Sequence, residues 1–451
     1  MKHNRGCGAA KKLCIFYFLT IFAFSVAAQD IIDIPESSSI RSRLVESWFE
    51  KPIPVLRTQE PEEIESVDGS HFQVSFEDYG DQCVIVVAPE KNEKVEIYSE
   101  SGVEYTWQRM YYSESPGSWL LFRDAKTGEP VCIRYYFAVN TEIFLQFRKS
   151  SSVPTEKSLA DFMVFGEYAA KNVPVGIPLE YFYDMSCDEV LTLLKYVVPW
   201  ASTPFYSSLY NDILQMTAVI RENLPRFRFL DDAAYDDMGN LVSIKSGDSV
   251  YVPGADPGML YISSAGFVKW IVDGLVRPLS GSGILLEPLM KKTEVFKSGS
   301  LSDTMAKKYD TTLALDWTRN LAAAMVSIYS GRDYTYATSG VQLNTVPFNG
   351  AYIENTGFKV SMLKSIFYYL AVTEPGRFYL GAIRHTVNDG AEFVVYNECA
   401  SFFPAFDKNG KFSVFVFIDG EEIKIEEFMK DYNGDFIQLV RIQSSEQFFP
   451  R

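Results

Sequence analysis

The chain has 451 residues, 47% of them apolar and 15% aromatic, with 42 Lys and Arg against 58 Asp and Glu for a net charge of −16. That apolar fraction can fill large cores, which excludes a wholly disordered chain, and the length suits about two or three domains. The acidic balance makes nucleic acid and anionic membrane surfaces poor partners.

Residues 1–28 have the layout of a secretory signal. Lys2, Arg5, Lys11 and Lys12 precede an apolar stretch from Leu13 to Val26, and Val26-Ala27-Ala28 supplies the small residues of a cleavage site. Removing the signal takes away four basic residues and no acid, so the mature chain is more acidic still. No later run reaches the ~18 uninterrupted apolar residues of a membrane span. The expectation is therefore an exported chain, periplasmic or at the cell surface, with no span left after signal removal. Four cysteines remain: Cys83, Cys132, Cys187 and Cys399. They are too sparse for a disulfide scaffold, and for Cys83 and Cys132 a bond and two free buried thiols both stay open. No CxxC pair or His-rich cluster argues for a metal, and no cofactor is expected.

Residues 29–68, with Pro35, Pro52, Pro54, Pro61 and the run Glu60-Pro61-Glu62-Glu63, read as a lead-in segment with little core of its own and a short helix over 41–49. From His71 the pattern alternates every two residues. Seven short runs (71–76, 83–87, 94–98, 105–109, 118–122, 131–137, 143–147), separated by turn signals such as Tyr79-Gly80-Asp81 and Lys126-Thr127-Gly128, predict an all-β sandwich over 69–150. Its aromatics Trp107, Tyr111, Tyr112 and Trp119 suit either core packing or a platform for sugar rings.

Past Pro154 the spacing becomes helical. Leu159, Phe162, Met163 and Phe165, then Val190 to Val198, then Ile213, Met216, Val219 and Ile220 form three stripes, which predicts a helical connector over 151–240. Asp231, Asp232, Asp236 and Asp237 lack the ligand spacing of a calcium loop and read as a solvated turn. The block 241–451 predicts helices at 265–276, 311–329 and 358–370, then strands at 377–384, 392–403, 411–417 and 437–442. Helices followed by an antiparallel sheet make an α+β domain.

The most informative stretch runs from Tyr251 through Ser263-Ser264-Ala265-Gly266-Phe267-Val268-Lys269-Trp270-Ile271. A Gly/Pro-rich loop delivers two hydroxyls to the head of an apolar helix, where orphan N–H groups and the helix dipole stabilise negative charge. These residues resemble the NlpC-type papain-like cysteine peptidases, whose signature is Asp-Cys-Ser-Gly followed by an apolar residue and Val. Pro375-Gly376-Arg377-Phe378 and Gly410-Lys411-Phe412 resemble that family's later strands. The resemblance covers about 200 residues and implies a papain-like fold acting on peptidoglycan stem peptides. It places Ser264 where the family has its catalytic Cys and Asn397 where it has the catalytic His. A serine needs a base to become nucleophilic and Asn cannot serve as one, so the resemblance implies a non-catalytic domain.

Tyr251, Ser264, His385 and Asn397 are expected to line its groove, which would take peptidoglycan or an envelope protein. A second reading is an active envelope hydrolase with Ser264 as nucleophile and His385, the sole histidine of the C-terminal block, as base. A third is a purely structural periplasmic protein. Cys187, flanked by Asp188 and Glu189, and Cys399, within a predicted strand, read as structural.

Overall fold

The computed structural model describes residues 38–67, 69–99, 102–150, 157–194, 207–294, 310–388 and 392–451. The signal sequence lies outside them, as do Tyr196 to Pro199 of the second helical stripe. Among the described residues the protein is a mixed α+β structure with two large antiparallel sheets, of nine and seven strands, and several helices.

The first sheet comprises β1 (Glu62–Glu65), β2 (His71–Asp78), β3 (Gln82–Ser99), β4 (Gly102–Tyr111), β5 (Trp119–Asp124), β6 (Pro130–Tyr136), β7 (Ile143–Lys149), β8 (Ser158–Val164) and β9 (Glu167–Pro174). Sequential neighbours pair, so the sheet is a meander, with β4 attached only to β3. Hydrogen bonds thus join the predicted runs into one sheet instead of the two of a sandwich. They also extend it into the expected connector. The Leu159–Phe165 stripe is strand β8, buried at Ser158, Ala160, Asp161, Phe162 and Val164, because a short apolar run satisfies either period until a partner strand decides. The second and third stripes do form helices, α3 (Cys187–Leu194) and α4 (Asn211–Asn223).

The lead-in segment does not lie outside the core as expected. Its helix α1 (Ser38–Leu44), continued by a π-turn over Val45–Phe49, and α2 (Ile53–Leu56) bury Ile40, Leu44, Trp48, Phe49, Ile53 and Leu56 against one face of the sheet. The spacing Ile40, Leu44, Trp48 is one helical stripe that the surrounding prolines and acids obscured. Arg41, 1% exposed, stacks on Trp119 at 4.0 Å and Tyr135 at 4.9 Å and donates to the Met185 carbonyl. Trp119 is fully buried, which removes it from any sugar platform.

Cys83 and Cys132 are free, buried thiols. Cys83 pairs across to Arg123 on β5 and Cys132 to Phe122 on β5's other side. A whole strand separates them, about 10 Å at the usual strand spacing, beyond disulfide reach.

Between the sheets lie four short strands, β10 (Phe227–Phe229), β11 (Ala233–Tyr235), β12 (Leu241–Ser243) and β13 (Leu260–Ile262), then α5 (Ser264–Ser280), α6 (Leu286–Leu289) and α7 (Leu313–Ser330). The second sheet runs β14 (Tyr352–Ile353), β15 (Gly357–Lys359), β20 (Phe436–Gln443), β16 (Arg377–Asn388), β17 (Glu392–Phe406), β18 (Phe412–Ile418) and β19 (Glu421–Lys424), with helices α8 (Leu363–Thr373) and α9 (Ile425–Asp431). Its helices and late strands fall close to their predicted places.

α7 packs on one face of this sheet, where Cys399 Sγ approaches the Ala314 carbonyl at 4.0 Å. α8 and α9 pack on the other, where Phe402 meets Phe367 and Phe428. The two sheets share a continuous apolar core. Phe165, held at φ +48° in the β8–β9 turn, plugs against Tyr368 and Phe412, and Ser365 donates to the Val164 carbonyl at 2.9 Å. That backbone angle is costly for an aromatic residue, and the two ring contacts offset it.

Candidate functional site

The site is built around the head of α5. Ser263 has extended backbone and caps the helix: its Oγ accepts from the Gly266 N–H at 3.2 Å and donates to the Ala233 carbonyl at 2.9 Å. Ser264 is the first helical residue, 7% exposed. The hydroxyl singled out in the sequence therefore crowns a buried helix beside the late strands.

What Ser264 does there is set by β17. This strand pairs with β18 from Ala400 onward, and before that point its N–H groups find other partners. Tyr396 donates to the Thr311 carbonyl at 2.8 Å, and Cys399 donates to Ser264 Oγ at 3.4 Å. The head of α5 and the lead into α7 thus close the stretch of β17 edge that β18 leaves open. Asn397 lies within this stretch. Its neighbours Tyr396 and Glu398 pair with Arg384 and Ile383, so Asn397 is the extra residue of a β-bulge, and it is exposed. Bulges re-aim side chains.

His385 is not brought to Ser264. On β16 it has the same parity as Tyr379, whose ring meets Phe367 of α8, so it faces the α8 and α9 side. Cys399, whose N–H Ser264 holds, directs its side chain to the α7 side. His385 instead sits between two carboxylates, with Nδ1 3.1 Å from Asp435 Oδ2 and Nε2 3.3 Å from Glu398 Oε2. Glu398 also accepts from the Tyr432 hydroxyl at 2.8 Å.

The bond to Glu398 first, against burial, holds the His385 pKa above its usual 6.5, and the same contact lowers that of Glu398. Nearby Asp419 is pushed up to about 6 by burial and by Glu398. A raised folded pKa gives stabilisation that is complete below the unfolded value and disappears as pH rises through the folded one. The His385 contribution is therefore whole below 6.5 and fades above it. In an NMR titration the His385 midpoint should lie above 6.5 and fall back in Glu398→Gln; a midpoint at or below 6.5 in the unmodified chain would contradict this geometry.

Tyr251 is 86% exposed on the loop between β12 and β13. A recess beside α5 has a volume of about 260 Å³ and different walls: Tyr235, Leu260 and Trp270 among the apolar ones, Asp273 and Arg277 among the polar. Gly266, Trp270, Asp273 and Arg277 follow one another along one side of α5, away from the side Ser264 turns to β17. Trp270 Nε1 donates to the Arg451 carbonyl at 2.8 Å across the same recess. No motif in the sequence marked the recess, whose polar wall residue Asp273 is held by Lys269 from within the same helix. Lys269 is 1% exposed and ion-pairs with Asp273 at 2.6 Å, and Asp273 Oδ1 also accepts the Ile284 N–H at 2.8 Å.

The acidic turn uses its carboxylates internally. Asp236 accepts from the N–H groups of Met238 and Asn240, and Asp232 from Lys245 N–H and the Ser243 hydroxyl. Among the described residues no cluster of His, Cys, Asp or Glu has the arrangement of a metal site. The buried Cys399 thiol is driven far above its usual range by desolvation. Cys187 opens α3 behind Ser186, which forms a reciprocal cap with Glu189.

Residues 32–202 match a family described as a domain of unknown function, DUF8515. The match takes in the first sheet and α3 and covers less than half of the chain. No curated protein and no solved structure matches this sequence.

Proposed function

We propose that this is an exported cell-envelope protein whose C-terminal α+β block is a papain-like domain of the NlpC type that binds peptidoglycan stem peptides without cutting them. The observation that supports this reading is the position of Ser264. A hydroxyl stands at the head of a buried helix against the central sheet, where a working relative would carry its thiolate. Its oxygen is engaged by the Cys399 N–H, while the only histidine of the block lies on the other face of the sheet. A nucleophile without a base in reach does not attack, so the reading as an active Ser264–His385 hydrolase loses its support. The recess walled by Tyr235, Leu260 and Trp270 gives a bound peptide an apolar seat with Arg277 at its rim. Among the described residues no helix is long and apolar enough to cross a membrane.

Incubating the purified protein with peptidoglycan sacculi tests this directly. The protein should sediment with the sacculi and release no soluble fragments, and Ser264→Ala should change neither result. Tyr235→Ala, with folding checked by circular dichroism, should weaken sedimentation by about ten-fold, the scale of losing an aromatic contact in a binding pocket. Fragment release that Ser264→Ala abolishes would sink the proposal, and so would a failure to sediment.

A further inference from the structure

Strands β3 and β4 run on past the first sheet as a two-stranded arm. β2 accompanies β3 only as far as Pro89 and β5 only as far as Val87, whereas β4 pairs with β3 from Glu90 to Ser99. Over Val103–Met110, β4 has β3 on one side and, among the described residues, no strand on the other. Isolated two-stranded hairpins are marginal in water, and an open edge of this length is a template for another strand. β4 is exposed at every residue from Gly102 to Arg109. The arm also displays large apolar side chains to solvent: Tyr98 is 77% exposed, Trp107 70% and Tyr105 57%. The pairing Lys94–Trp107, Glu96–Tyr105 and Tyr98–Val103 puts all three rings on one face.

We propose that the arm is a self-association device: two copies of this chain pair antiparallel through their β4 edges, centred on Thr106, to form a four-stranded ribbon. Residues opposed across a two-fold axis must share a face, so a pairing centred on a residue is allowed and one centred between two residues is not. The exposed run Gly102–Arg109 has Tyr105 and Thr106 as its two central residues, and of these only a centre at Thr106 sets Tyr105 opposite Trp107. A centre at Trp107 would draw in Met110 and Tyr111, which are already partly buried at the arm's base.

Centred on Thr106, Tyr105 of each copy lies opposite Trp107 of the other, Glu104 lies opposite Gln108, and Thr106 meets Thr106. Aromatic pairs and Thr–Thr pairs are favourable across strands, and no like charges are opposed. The occupant is a second copy, and not a sugar chain, for two reasons. Strand addition satisfies the open backbone edge, which a sugar does not do. The Tyr105 ring is also already covered by Lys94, whose Nζ lies 3.9 Å from its centroid. Charge points the same way: β4 carries one acid and one base, Glu104 and Arg109, in a chain of net −16. This is therefore a surface on which two such acidic molecules can meet without repulsion.

Sedimentation velocity of the purified chain should give a species of twice the chain mass. The double variant Tyr105→Lys, Trp107→Glu should return it to one chain mass with an unchanged circular dichroism spectrum. Thr106→Cys should give an intermolecular disulfide under mild oxidation, and Gln108→Cys should not. A chain that stays monomeric at about 100 μM, well above the dissociation constants of specific interfaces, would overturn the proposal. So would a dimer indifferent to the double variant, a crosslink at 108 instead of 106, or a monomer whose Trp107 fluorescence responds to added chito-oligosaccharide.

Discussion

Replacing Asp273 by Ala is expected to cost about 3–5 kcal/mol, the usual penalty for leaving a buried charge without its partner. Lys269 and Asp273 sit one turn apart on α5 with side chains 1% and 6% exposed and 2.6 Å between the charged atoms. Gly283 holds the following loop so close that a Cβ there would lie 2.8 Å from Asp273 Oδ2. The carboxylate is thus enclosed, with Ile284 N–H on one oxygen and Lys269 on the other. Desolvation dominates both groups, lowering the Lys269 pKa and raising that of Asp273, so each depends on the other to stay charged.

In Asp273→Ala the ammonium is left in an apolar helix and must either lose its proton or pull the helix open. The double variant Lys269→Met, Asp273→Leu removes both charges and should recover most of the loss, because a buried ion pair adds little over an apolar pair of the same size. Urea unfolding of the two variants and the parent gives both differences. A single-variant loss under about 1 kcal/mol, the range of an exposed pair, would mean that water reaches this carboxylate.

The C-terminal block was legible because its signals are long and redundant. α5 and α7 each present several turns of apolar periodicity, and β16 to β18 are runs too apolar to lie at a surface. The segment 158–174 was misread because Leu159, Phe162, Met163 and Phe165 fit a helical stripe as well as a strand, and only pairing with β7 and β9 decides. The lead-in was misread for a different reason. Composition hid the burial of Trp48, and its acidic neighbour Glu62 is in fact the acceptor for the indole N–H at 2.9 Å.

At the site, the start of α5 at Ser263-Ser264 was legible, since an N-capping Ser before an apolar helix is local information. The position of His385 was not local. Which face of a sheet a residue takes depends on parity counted through the whole strand, and the bulge at Asn397 shifts that count on β17 by one. The recess was invisible because its walls come from four separate parts of the chain.

The glycine of the Ser264-Ala265-Gly266-Phe267 motif gives the second large effect. A Cβ built on Gly266 would lie 2.2 Å from the Ala233 carbonyl oxygen, 2.8 Å from Ile262 Cγ1 and 3.2 Å from Ala234 Cα. The first contact cannot be relieved by rotating a side chain. It is backbone, and the same oxygen accepts both the N–H and the hydroxyl of Ser263. Gly266→Ala should therefore destabilise by about 1–3 kcal/mol or more, although Ala is favoured over Gly within a helix by about 1 kcal/mol. Gly274→Ala is the natural comparison. Its Cβ would meet the buried Phe448 ring at 2.6 Å and Pro450 Cβ at 3.1 Å, but these are side-chain atoms and not a backbone carbonyl, so the loss should be smaller. If thermal melts rank the two variants the other way, α5 does not press on β11 as closely as drawn. With the expected ranking, the glycine is needed to seat the helix head on β11.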